Sequence, residues 1–304
     1  TCIGPYSQAN VFGGLIFQAG QIGLDPASMK ITQGGLVAEA TQAFENIKAV
    51  YGALKSDIST TYGCTIYIDR HHDSPASRRF VLGLAKEYLS PGCYMYDLVV
   101  VPELPKGAAI EVEVLGRTTK NTNVLKLESV SLEQFDNVLN LMEWDHDDED
   151  LKIGINGMAV KTGLLCATFS MNTAIKKSAL FRDKVDKQLQ ALLQLIDECV
   201  HRCRIGFEKL LHVRVFYPAV LKDGAGKAFS DESAWLHKRL QSFVASFPVV
   251  PASTFIGCHG SQGNVLLQVV GRDLEAYDAV HWLQDYPFEE TTITREFSLD
   301  KAGD

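Results

Sequence analysis

No apolar run in this 304-residue sequence approaches the roughly 20 residues needed to span a bilayer. Basic residues are also scarce. Lys and Arg total 29 against 37 Asp and Glu, a formal net charge of −8, whereas contacts to phosphate require clustered cations. A general nucleic-acid binder is thereby excluded, and a nuclease becomes the least favoured class. No disulfide framework is visible: Cys2, Cys64, Cys93, Cys166, Cys199, Cys203 and Cys258 are odd in number and irregularly spaced. A reducing cytosol is the expected home. The opening "TCIGPYSQAN" has no methionine, basic n-region or apolar h-region. It runs straight into a turn-and-strand pattern, so the chain is expected to be a piece of a longer polypeptide. What is present is an ordinary globular composition, 46% hydrophobic and 22% charged, with enough length for about two domains.

The chain says the same thing twice. "GLIF" at Gly14–Phe17 returns as "GLLC" at Gly163–Cys166, and "TIYID" at Thr65–Asp69 returns at the same offset as "RVFYP" at Arg214–Pro218. "VEVLGR" ending at Arg117 returns as "LQVVGR" ending at Arg272. Fixed order with an offset that drifts only slightly is the mark of an internal repeat. Each copy opens with a hairpin pattern (Val11–Ile22; Ile153–Met171) and continues into an amphipathic helix. Phe44, Ile47, Val50, Tyr51 and Leu54 carry the apolar stripe in the first copy; Leu189, Leu192, Leu193, Ile196 and Val200 carry it in the second. A strand (Cys64–Asp69; Leu211–Tyr217), a second helix (Arg79–Leu89; Ser233–Phe247) and two closing strands complete each copy. The order β-β-α-β-α-β-β predicts an α+β fold, a mixed sheet with both helices on one face. Domain one is assigned to residues 1–120, an acidic linker to 121–150 and domain two to 151–304. The linker reading rests on "EWDHDDED", Glu143–Asp150, a density of like charge that resists packing. It lacks EF-hand spacing, and no metal is expected there.

Several short motifs carry no function. "KDGAGKAFS" (Lys222–Ser230) lacks P-loop spacing and reads as a surface loop. "CVHRC" (Cys199–Cys203) falls on a helical pattern without a second ligand pair. "RHH" (Arg70–His72) follows a strand and reads as polar loop, and Cys258-His259 has no visible orienting third group. The stretch that stands out is "YMYDLVVVPELPKGAAIEVEVLGR", residues 94–117, two strands joined by a tight turn at Leu104–Gly107. In the second strand Glu111 and Glu113 share one face, and Ile110, Val112 and Val114 take the other.

Three segments, "IGPYSQA" (Ile3–Ala9), "AGQIGLDP" (Ala19–Pro26) and "LPKGAAIEVE" (Leu104–Glu113), together with "QAFENIKAVYGAL" on the first helix, closely resemble the YjgF/RidA family of imine deaminases. The resemblance runs through the whole first copy. The second keeps the framework and loses the signature, with "IGINGMAV" where the GPYSQ turn stands. It implies chorismate-mutase-like domains that self-associate, usually as trimers, with ligand clefts between neighbouring domains. In active members an arginine grips the carboxylate of a 2-imino acid, a glutamate positions or activates the attacking water, and a tyrosine and an asparagine line the pocket. Carried over, Tyr6 matches the tyrosine and Glu111 the glutamate, the catalytic residue if the chain is a deaminase. Tyr96 occupies the arginine position and Leu82 the asparagine position. Ser253 stands at the arginine position of the second copy, and Leu266 and Gln268 replace the two glutamates. The implied ligand-binding set is therefore Tyr6, Tyr96 and Glu111, without cofactor or metal.

Two such domains in series, the second degenerate, also resemble the C-terminal region of the long, fungal- and plant-type diphthine–ammonia ligases. That resemblance implies an upstream ATP-binding domain in the same chain and elongation factor 2 as partner. This segment has no pyrophosphate-binding loop of its own. A non-catalytic assembly or ligand-sensing module is expected, and an imine deaminase with altered residues is the alternative. A cation from a neighbouring chain and a purely structural role for Glu111 and Glu113 both remain open at this level.

Overall fold

The computed structural model describes residues 4–12, 14–89, 93, 95–118, 127–129, 153–160, 163–173, 180–222, 228–258 and 264–273. The run Glu143–Asp150, residues 223–227, Cys2 and His259 lie outside them. Within the span read as a linker, Leu127–Ser129 forms a short strand.

The first half comprises strands β1 (Ala9–Phe12), β2 (Leu15–Ile22), β3 (Thr61–Asp69), β4 (Met95–Val101) and β5 (Ile110–Arg117), with helices α1 (Gly35–Ala53) and α2 (Pro75–Leu89). They make one five-stranded sheet in the order β1-β2-β5-β3-β4. The turn between β4 and β5 is confirmed as a single 3-10 turn, Pro105–Gly107. The two strands it joins are nevertheless not neighbours. β3 lies between them, parallel to β4 and antiparallel to β5. A parallel pair needs a crossover, and α2 supplies it.

The second half contains β6 (Leu127–Ser129), β7 (Ile153–Val160), β8 (Leu164–Asn172), β9 (Leu210–Pro218), the short pair β10 (Leu221–Lys222) and β11 (Ala228–Phe229), β12 (Ala252–Cys258) and β13 (Asn264–Arg272). Its helices are α3 (Phe181–Arg202) and α4 (Ser230–Ala245). The large sheet runs β12-β9-β13-β8-β7-β6. Read from β7 to β12 it has the strand order and directions of the first sheet, with β6 added on the outside of β7.

Periodicity explains which faces are buried. On α1, Ala40, Ala43, Phe44, Ile47 and Tyr51 are buried against Ile16, Cys64, Ile66, Ile110, Val112 and Val114 of the sheet. On α3, Val185, Leu189, Leu192, Ile196 and Val200 meet Leu165, Phe169, Val213, Val215, Leu267 and Val269 in the same way. The opposite faces of the two sheets pack on one another. Leu15 and Tyr62 join Leu164, Cys166 and Val270 in one cluster, and Val99 joins Phe216 and Cys258 in another. The molecule thus layers as helices, sheet, sheet, helices.

A polar row crosses the centre of that inter-sheet contact. Gln268 donates from Nε2 to Asp97 Oδ2 at 2.6 Å and to Thr65 Oγ1 at 2.8 Å, and Thr168 Oγ1 donates to the same Asp97 oxygen at 2.6 Å. Arg214 donates from Nη1 to Glu113 Oε2 at 2.5 Å and to the Tyr67 hydroxyl at 3.1 Å. Within the sheets Glu113 is in register with Thr65, and Gln268 with Arg214. The contacts Glu113–Arg214 and Gln268–Thr65 therefore exchange when the two halves are exchanged. Burial raises the Asp97 carboxyl above the ordinary carboxylate range, while the Thr168 and Gln268 hydrogen bonds pull it back.

Candidate functional site

β2 carries the site. Gln18 pairs with Val114 and Gln21 with Val112, so three steps on β2 face two on β5 and Ala19-Gly20 forms a bulge. β1 pairs with β2 only as far as Gln18. Beyond that point the outer edge of β2 is left by its neighbour, and the chain before β1 touches it through the Ala19 N–H to Gln8 O bond at 3.0 Å. A cavity of about 410 Å³ opens here, between this edge, the C-terminal half of α1 and the start of β5.

Glu111 reaches the cavity through the bulge. A Cβ on Gly20 would lie 1.9 Å from Glu111 Oε1 and 2.8 Å from its Cγ, so the carboxylate occupies space that only glycine leaves open. Tyr6, 44% exposed, stands at the mouth. Val50 and Ala53 of α1, with Ile22, Leu24 and Pro105, supply an apolar wall. Asn46 also borders the space, with its amide already engaged. Its Nδ2 donates to Ile22 O at 3.2 Å and Leu24 O at 2.9 Å, and its Oδ1 accepts from Gln42. Gln21 turns its Nε2 back to Ala19 O at 3.1 Å.

Among the described residues Glu111 has no hydrogen-bond or ion-pair partner, and no Lys, Arg or His lines the cavity. Burial raises its carboxyl above the usual range, and repulsion from Glu113 adds to the shift. The nearby cation, Arg214, is committed to Glu113 and Tyr67 on the inter-sheet side.

Two of the three expected binding residues, Tyr6 and Glu111, thus share one cavity. Tyr96 is not among its lining residues. On β4 it points to the helix side, half-buried with Leu82 and Leu98 against the first core. Burial raises its phenol, as does its hydrogen bond with the Cys93 thiol. In the second half Ser253 is exposed on β12, Leu266 packs between the sheets and Gln268 is buried in the polar row. Arg214, Asp97, Asn46 and Gln21 were not singled out from sequence. For Arg214 a signal existed: in "RVFYP" it is the charged residue that stands where Thr65 stands in "TIYID".

The sequence model of the family described as "Endoribonuclease L-PSP" matches residues 1–117. A 2-iminobutanoate/2-iminopropanoate deaminase of Dermatophagoides farinae is 36% identical over 111 residues, 36% of this chain and 84% of that protein. Protein DfrA of Myxococcus xanthus is 38% identical over 115 residues, 37% and 85% of the two chains. The human 2-iminobutanoate/2-iminopropanoate deaminase is 33% identical over 113 residues, 37% and 80%. Among solved structures, RidA from an Antarctic Psychrobacter is 28% identical with a TM-score of 0.35, covering 38% of this chain and 91% of that one. Through the domain at residues 1–117, with its bulged β2 and the Glu111 cavity, the chain belongs to the RidA/YjgF family.

Proposed function

We propose that the chain is a non-catalytic tandem module, two RidA-like domains of which the second is degenerate, serving assembly or ligand sensing within a larger ATP-dependent amidating enzyme. The matching strand order of the two sheets supports the tandem reading. Attachment to an upstream ligase domain of the diphthine–ammonia ligase type, with elongation factor 2 as the modified partner, is supported by domain order alone. Self-association fits the family and the uncharged strand β12, exposed at Ala252, Ser253 and Thr254.

One observation carries the non-catalytic reading: Glu111 looks into a cavity that no described cation lines, while Tyr96 at the arginine position is turned into the helix layer. A 2-imino acid would meet the Glu111 carboxylate with nothing to hold its own. The test is ammonia release from freshly generated 2-iminobutanoate and 2-iminopropanoate by the intact chain. No release above the spontaneous rate is expected. Release that disappears in Glu111→Gln overturns the reading and puts the deaminase in front. That second reading is favoured by Tyr6 and Glu111 sharing one cavity and by relatives of that name at 33–36% identity.

A further inference from the structure

The charge that the described residues present to the cavity is of one sign. Three side-chain amides border it, and two are spent locally: Asn46 Nδ2 on Ile22 O and Leu24 O, Gln21 Nε2 on Ala19 O. The third, Gln8, is neutral and offers a donor and an acceptor alike. Among the described residues the one charged group that lines the space is the Glu111 carboxylate, and no cation lines it in turn. A buried or half-buried charge without a partner is a costly arrangement that a ligand of opposite sign relieves. Opposite Glu111 the wall is aliphatic, from Ile22, Leu24, Val50, Ala53 and Pro105. An occupant that satisfies both walls has a compact cationic head rich in N–H donors and a short apolar tail, and 410 Å³ is ample for it.

We infer that this cavity binds a small alkylammonium ion, with Glu111 as counter-ion and the face of α1 with Pro105 enclosing the tail. The inference deepens the ligand-sensing reading and rests on it. The charged and titratable groups around Glu111 are Glu113 on the same strand face, Tyr67 opposite it on β3, Arg214 bound to both of these, and Tyr6 at the mouth. Of these groups only Arg214 is cationic among the described residues, and its Nη1 serves Glu113 and Tyr67.

The experiment compares n-butylammonium with butyrate, equal chains with opposite heads, by titration calorimetry on the intact chain. Butylammonium is expected to bind at one site per chain at least about tenfold more tightly than butyrate, and Glu111→Gln to erase the difference. Ala49→Leu, on the exposed face of α1 where it borders the cavity, provides a second variant that blocks the tail without touching the charge; it is expected to weaken butylammonium binding by a similar factor. Tighter binding of butyrate overturns the inference and leaves a ligand-sensing cavity in place. Binding of neither at millimolar concentration overturns both the inference and ligand sensing, leaving assembly. Butylammonium binding untouched by both variants assigns it to another surface and overturns the inference.

Discussion

Glu111 is where chemistry and stability pull against each other. Its carboxyl is raised in the folded state, first by burial and then by Glu113. For an acid whose folded pKa lies above its unfolded one, the stabilising contribution is complete below the unfolded value and is lost as pH rises through the folded value. At neutral pH the ionised side chain is therefore a burden on the fold. Glu111→Gln is expected to melt at a higher temperature than the native chain at pH 7, with the difference vanishing near about pH 4. A lower melting temperature at pH 7 would assign Glu111 a structural role. Gly20 tests the same residue from the other side. In Gly20→Ala the new Cβ meets side-chain atoms of Glu111 alone, from Oε1 back to Cγ, so the whole flexible side chain must turn out of the bulge. Cavity binding should fall about tenfold, with unfolding in urea shifted by less than about 1 kcal/mol.

At the scale of elements, the bulge in β2 and the seating of α1 decide where the cavity lies. Gly23 ends β2's run, and a Cβ there would meet the backbone of Glu39 on α1 at 2.4 Å and its carbonyl oxygen at 2.7 Å. Glu39 in turn holds the entry to β5 by accepting from the Ala109 N–H at 2.8 Å. Unlike Gly20, this position is pressed by backbone, which cannot swing away. Gly23→Ala is expected to destabilise by about 3 kcal/mol in urea denaturation and to weaken butylammonium binding, because α1 and Glu111 lose their common frame. The two glycines of "AGQIG" therefore have different physical reasons, one clearing space for a carboxylate and one for a helix. Much of this level was legible in sequence. The stripe Phe44, Ile47, Tyr51 located the buried face of α1, and the alternation of Ile110, Val112 and Val114 with Glu111 and Glu113 located the faces of β5. Strand neighbours were less legible. The tight turn at Leu104–Gly107 suggests adjacent strands, but turn chemistry is local, while the insertion of β3 is set by the crossover through α2. Tyr96 shows the same limit: its place in the motif was readable, its orientation toward Cys93 and Leu82 was not.

At the scale of the whole molecule the two sheets share a polar seam that sequence could not pair, because its members lie 71 to 203 positions apart. Asp97 is its hub, 4% exposed and accepting from both Thr168 and Gln268. Asp97→Leu leaves the buried Thr168 hydroxyl without its acceptor and Gln268 Nε2 with Thr65 alone, and is expected to cost about 2–4 kcal/mol, whereas Asp97→Asn, which keeps one carbonyl oxygen, should cost about 1 kcal/mol. Equal losses would mean that volume, not hydrogen bonding, holds the seam. The seam also covers the halves unequally. β4 is largely buried against the second sheet, with Met95 and Val99 at 4% and 3% exposure, yet β12, its counterpart by register, is exposed at Ala252, Ser253 and Thr254. From Pro248 to Cys258 the sequence has no charged residue, and Val249 and Val250 are 46% and 56% exposed. An uncharged open edge is a surface that proteins ordinarily protect with Lys, Pro or a bulge. It is expected to be the contact through which two copies of this chain associate. Ser253→Lys places a cation on that edge without entering either core, so sedimentation should show the native chain as an oligomer at tens of micromolar and the variant as a monomer with the same melting temperature. A native chain that sediments as a monomer removes self-association through this edge.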